Sequence, residues 1–102
     1  MGTTGSLPRA KERKIVMQID GAIVREQGVT FAVVAVKRQV VQSMSESNQA
    51  IASFSRVFPG LPIVLMGQDS HGRATYYGRK DIARFLSRVP VNALPWKRYT
   101  IN

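Results

Sequence analysis

The segment Val29-Thr30-Phe31-Ala32-Val33-Val34-Ala35-Val36 limits the fold more than any other part of the chain. It is rich in β-branched residues and apolar at odd and even positions alike, so as a strand it turns an apolar row to each side. Such a strand needs structure covering both of its faces, which makes it a central strand. Val40 and Val41 prolong the apolar character, and the strand is expected to continue through Lys37 to Gln42.

Other elements fall into place around it. Ile15, Met17 and Ile19 alternate along Lys14 to Asp20 and line one face of a first strand. Asp20-Gly21 has the chemistry of a two-residue hairpin turn, whose central residues need positive φ. Ala22 to Gln27 is then the return strand, with a short helical turn over the same residues as the competing reading. Ser43 and Glu46 have capping-box spacing, and Ala50, Ile51, Phe54, Val57 and Phe58 recur at helical spacing until Pro59-Gly60.

Leu61 to Met66 is a second apolar run, and Pro62, which has no amide to donate, places the strand's start there. Gly67 to Gly72 reads as a turn and Arg73 to Tyr77 as the strand that returns from it. Ile82, Phe85, Leu86 and Val89 mark a second amphipathic helix ended by Pro90, and Arg98 to Ile101 suits a short final strand. The expected order is βββαββα. A helix joining the apolar strands near 29–36 and 62–66 makes them a parallel pair within a small mixed sheet. The fold class is α+β, with an open α/β sheet carrying two helices as its near neighbour.

The chain has 102 residues, which suits one domain able to bury roughly two-thirds of the surface its unfolded form exposes. Residues 1–13 are expected to be a flexible basic tail, and 14–102 the α+β domain. The absence of cysteine excludes disulfides, thiolate metal sites and thiol redox chemistry. No apolar run approaches the roughly 20 residues that cross a bilayer, and Met1 to Lys14 lacks the pattern of a signal peptide. A bacterial-type cytoplasmic protein is expected.

From Leu61 to Leu86 the order of proline-led strand, hairpin, glycine and amphipathic helix resembles the C-terminal part of a thioredoxin-like domain. That resemblance implies scaffold geometry and a cis bond before Pro62. It implies no redox activity, because the dithiol of that family has no counterpart here. Leu65-Met66-Gly67-Gln68-Asp69-Ser70, Thr75-Tyr76-Tyr77-Gly78-Arg79 and Pro95-Trp96-Lys97-Arg98-Tyr99-Thr100 resemble stretches of short bacterial proteins of unknown function, which implies no activity.

Charge is the main pointer to function. Fifteen lysines and arginines face six acidic residues, a formal charge of +9. From Arg56 onward there are eight basic and two acidic residues. A surplus of this size repels itself in the folded state, and polyanionic partners are its first explanation. Lys80, Arg84 and Arg88 recur at i, i+4 and i+8 along the second helix as a basic stripe. Gly78-Arg79-Lys80 sets two cations where a helix N-terminus favours negative charge, so an anion clamped there by Arg79, Lys80 and Arg73 is one expectation. Tyr76, Tyr77, Trp96 and Tyr99 stand among these cations and Lys97 and Arg98, a mixture suited to single-stranded nucleic acid. The alternative is that Tyr76 or Tyr77 faces the core and Trp96 covers the edge of the sheet.

Other chemistry finds little footing. Asp69-Ser70-His71 holds the residue types of a hydrolytic triad, but consecutive turn residues do not give a triad's geometry. One histidine and no cysteine leave no recognisable zinc site, and the glycines near 67–72 fit no phosphate-binding fingerprint. Met17, Met44 and Met66 read as core or edge fillers. The leading expectation is a non-enzymatic binding domain without cofactor, taking nucleic acid or another polyanion through Arg73, Tyr77, Arg79, Lys80, Arg84, Arg88, Trp96, Lys97 and Arg98. A homodimerising interaction module is the second. A small-anion or enzyme site at Gly78 to Asp81, with His71 or Tyr77 nearby, is the third.

Overall fold

A computed structural model describes residues 17–101; the expected tail at 1–13, and the first strand's start at 14–16, lie outside the described residues. The fold is α+β. Its elements are β1 (Met17–Glu26), β2 (Val29–Ala35), α1 (Arg38–Val41), α2 (Met44–Phe54), β3 (Ile63–Gln68), β4 (Ala74–Tyr77), α3 (Lys80–Leu86) and β5 (Lys97–Ile101), with a 3-10 turn at Val91–Ala93 before β5. The strands form one mixed sheet in the order β4-β3-β2-β1-β5. β2 and β3 are the parallel pair, as the helix joining them implied, and the other neighbours are antiparallel.

β2 is covered on both sides. Ala32 and Val34 join Ile19, Val41, Phe54, Phe58, Ile63 and Leu65 in one cluster, beneath α1 and α2. Phe31 and Val33 join Ala22, Val64, Met66, Ile82, Leu86 and Leu94 in another, beneath α3 and the segment that follows it. Each fully buried large apolar side chain stabilises the fold by roughly 1.5–3 kcal/mol, so the two layers share the work of holding the sheet.

The reversal expected at Asp20-Gly21 is absent. β1 runs straight through both residues and turns at Gln27-Gly28, where φ is 53° and 79°. Two consecutive positive φ values are what a two-residue hairpin loop requires, and Glu26 faces Val29 across it. Gly21 serves packing instead: a Cβ there would lie 3.3 Å from the rings of both Phe58 and Tyr99. The two strands expected on either side of Asp20-Gly21 are therefore one, and the order is ββααββαβ.

Lys37 to Gln42 also departs from expectation. The Val36 amide donates to the Met66 carbonyl as the last tie of β2, and the chain then coils into α1. The turn carries Val41 into the core instead of prolonging the strand. Gly67, expected in a turn, lies within β3 opposite Thr75, and α1 crosses over it; a Cβ there would come within 2.8 Å of Val41. α2 starts as expected, with the Ser43 hydroxyl accepting from the Glu46 amide at 3.2 Å. It ends at Phe54, short of Pro59, and turns over 55–58 then swing Phe58 onto the sheet. Pro62 precedes β3, its peptide bond is trans, and its carbonyl accepts from the Ala32 amide. Met66 is a core residue, whereas Met44 is 70% exposed and fills no part of the core. Among the described residues no helix is long and apolar enough to cross a membrane.

Candidate functional site

α3 is held down by one side and carries charge on the other. Ile82 and Leu86 are buried, and Phe85 meets Phe31 edge to face with centroids 6.5 Å apart. Lys80 and Arg84 lie one turn apart on the outer side, and both are exposed. The helix ends at Leu86, earlier than a stripe reaching Arg88 would need. Arg88 nevertheless stays close, because its amide donates to the Phe85 carbonyl in the turn that closes the helix. The basic stripe is thus one helical turn followed by one tighter turn.

The start of α3 has an anion of its own. Arg79 forks onto Asp81, with Nε to Oδ1 at 3.2 Å and Nη2 to Oδ2 at 2.7 Å. The Arg79 guanidinium foremost, then the Ile82 amide, hold the Asp81 carboxyl below the usual carboxylate range. The negative charge that a helix N-terminus favours is therefore supplied by the second residue of the helix itself.

Arg73 is engaged in the same manner. Its Nε stands 3.3 Å from Asp69 Oδ2, while Asp69 Oδ1 accepts from the amides of His71 and Arg73 at 2.8 and 2.9 Å. These contacts, the Arg73 amide first, keep the Asp69 carboxyl below its usual range. Asp69 thus organises the hairpin loop through main-chain amides.

The remaining nominated residues are dispersed. Register places Tyr76 opposite Met66 and Tyr77 opposite Leu65, so the two tyrosines enter different layers. Tyr77 is half-buried on the α2 side, away from α3, and its hydroxyl donates to Asn48 Oδ1 at 3.3 Å. Trp96 lies on the α3 side, half-buried, with Nε1 donating to the Val91 carbonyl at 2.7 Å. Lys97 and Arg98 open β5, at the opposite sheet edge from β4. Four strand spacings of about 4.8 Å separate those edges by roughly 19 Å. Arg98 is occupied as well, with Nε 2.6 Å from Asp20 Oδ1 and Nη1 3.2 Å from Gln18 Oε1. The structure therefore gathers Lys80 and Arg84 on α3, with Arg79 just before the helix and Arg88 in the turn that closes it. Tyr77, Lys97 and Arg98 stand apart from them.

A feature on the opposite side of the sheet escaped the sequence pattern. Between α2 and the end of β5 lies an open groove of about 710 Å³, walled by Val40, Ala50, Phe54, Val57 and Ile101. Glu46, Gln49, Ser53, Arg56 and Thr100 line it too. The apolar arc of α2 was visible as Ala50 through Phe58, but its width was not read as two surfaces. Phe58 faces the core, Phe54 is buried and also reaches the groove wall, and Ala50 and Val57 border open space. Among the described residues no group of three histidine, aspartate or glutamate side chains is placed to hold a metal ion.

Compared with known proteins, the chain matches no family model, no curated protein and no solved structure.

Proposed function

We propose that this is a non-enzymatic binding domain that takes a polyanion, nucleic acid foremost, along the outer side of α3. One observation carries the reading. Asp20, Asp69 and Asp81 each engage one arginine, and Lys80, Arg84 and Arg88 make no ion pair among the described residues. Three neighbouring exposed cations repel one another, and phosphates lying along them would relieve that repulsion and release counterions. Lys80 and Arg84 are separated by about 6 Å along the helix axis and Arg88 follows in the closing turn, a spacing that a flexible phosphate chain can follow.

Arg79 adjoins the stripe and Arg73 lies in the β3–β4 loop, both in exposed ion pairs. Pairs of that kind contribute little to stability, which leaves both guanidiniums able to turn toward a phosphate. Tyr77 and Trp96 have their own hydrogen-bond acceptors and are half-buried. The reading therefore rests on the phosphate backbone without base stacking, and little sequence preference is expected.

The direct test replaces Lys80, Arg84 and Arg88 together with glutamine and titrates the variant against a labelled oligonucleotide. Affinity is expected to fall by about tenfold or more at low salt, with an unchanged circular dichroism spectrum. A folded variant that binds as the parent does would refute the reading.

A further inference from the structure

We infer that the groove between α2 and β5 is a docking site for an extended, acidic peptide strand that adds to the sheet beside β5. Two independent features meet there. β5 stands at the end of the strand order and, among the described residues, pairs with β1 alone, so its outer row of amides and carbonyls is open. The groove runs alongside its last residues, with Thr100 and Ile101 forming part of the wall. An added strand would take main-chain hydrogen bonds from β5 and send alternate side chains toward Ala50, Phe54 and Val57.

The packing of the neighbours leaves room beside the end of β5. α1 and α2 pack chiefly over β3. Phe58 reaches across to Tyr99, ring centroids 5.0 Å apart, and covers the sheet at Gly21. Val40 of α1 and the residues of α2 wall the groove on the helix side, and Thr100 and Ile101 wall it on the sheet side.

Charge selects the occupant. Arg56, at the groove, makes no ion pair among the described residues, and neither does Lys97 at the head of β5. Glu46 is the one acidic residue lining the groove, and it stands at the other end of α2, where the helix dipole favours it. A second copy of this chain would bring a further +9 against +9, which disfavours self-pairing. An acidic strand is attracted by the net charge of +9 and meets Arg56 at the groove.

The probe is a short synthetic peptide alternating valine and glutamate, titrated into the full chain while amide exchange is followed residue by residue. Binding is expected with added protection at amides within Arg98 to Ile101. Ser53→Trp, which fills the groove from an exposed position, should weaken binding about tenfold or more. Arg56→Glu, whose side chain is exposed and clear of the core, should weaken it as well. The glutamine variant at Lys80, Arg84 and Arg88 should bind the peptide as the parent does, which separates this site from the α3 surface. Absence of protection in β5, equal binding by a backbone N-methylated peptide, or peptide binding undiminished in Ser53→Trp would each overturn the proposal. So would a concentration-dependent dimer dispersed by Ser53→Trp, since the groove's occupant would then be a second copy. Peptide binding that appears only when residues 1–16 are deleted would likewise overturn it, because the chain would be filling its own groove.

Discussion

Phe58 and Tyr99 meet edge to face with ring centroids 5.0 Å apart, directly above the place where Gly21 has no side chain. The contact ties the loop after α2 to the edge of the sheet, and it depends on a glycine in the middle of a strand. Gly21→Val would drive a branched side chain into rings already 3.3 Å from an ideal Cβ. Overpacking of this kind costs about 1–3 kcal/mol, read as a lower urea midpoint. An unchanged midpoint would show that the rings move aside freely.

That same glycine shows where sequence reasoning reached its limit. Asp20-Gly21 and Gln27-Gly28 are both acceptable local turns, and nothing local tells which one reverses the chain. The aromatic pair that needs Gly21 lies some 40 and 80 residues further along. By contrast, β2 could be read because its apolar rows are self-contained, and the start of α2 because Ser43 and Glu46 are three residues apart. Val40 and Val41 misled because strand and buried short helix share one composition, and only the crossing over Gly67 decides between them.

The candidate site divides along similar lines. The stripe of Lys80 and Arg84 follows from helical spacing alone. The pairing of Arg98 with Asp20 does not, because it depends on β5 lying beside β1. Placing Tyr77 and Trp96 likewise required strand register and the fold of the segment after α3.

Ser47 is fully buried and its hydroxyl donates to the Val40 carbonyl at 2.7 Å, pinning α1 against α2. Ser47→Ala removes that donor and should cost about 1 kcal/mol in equilibrium denaturation. No loss at all would mean that the Val40 carbonyl finds adequate compensation from the Ser43 amide, its other donor.

Tyr76 offers the reverse case. Its hydroxyl is buried without a hydrogen-bond partner among the described residues, and burial raises its pKa above the usual tyrosine value. Tyr76→Phe should leave stability unchanged or raise it, since a desolvated hydroxyl contributes nothing favourable. In the parent, the folded state holds this proton longer than the unfolded state does. The stability linked to it is complete below about pH 10 and is lost as pH rises toward the raised folded value. A destabilised phenylalanine variant would contradict the assignment.

Asp69 and Asp81 predict the behaviour at the acid end. Both carboxyls titrate below their ordinary range in the folded state, so their contribution is complete above the unfolded value of about 3.9. It is lost as pH falls through the folded values. Carboxyl titration by NMR should place Asp81 below that reference. Arg79→Gln should move it upward, because the Arg79 guanidinium is the foremost cause of the shift. An Asp81 titration indifferent to Arg79→Gln would show that the helix amides alone set it.

The outer side of α3 is proposed to hold phosphates. The measurement that meets this proposal most directly is fluorescence anisotropy of labelled single- and double-stranded oligonucleotides across a range of salt concentrations, with parent and glutamine variant side by side. Three phosphate contacts predict that log K falls with log salt at a slope of about −2 to −3. Each glutamine substitution should reduce that slope by about one half to one. No binding at low salt, or a slope that the three substitutions leave untouched, would contradict the claim.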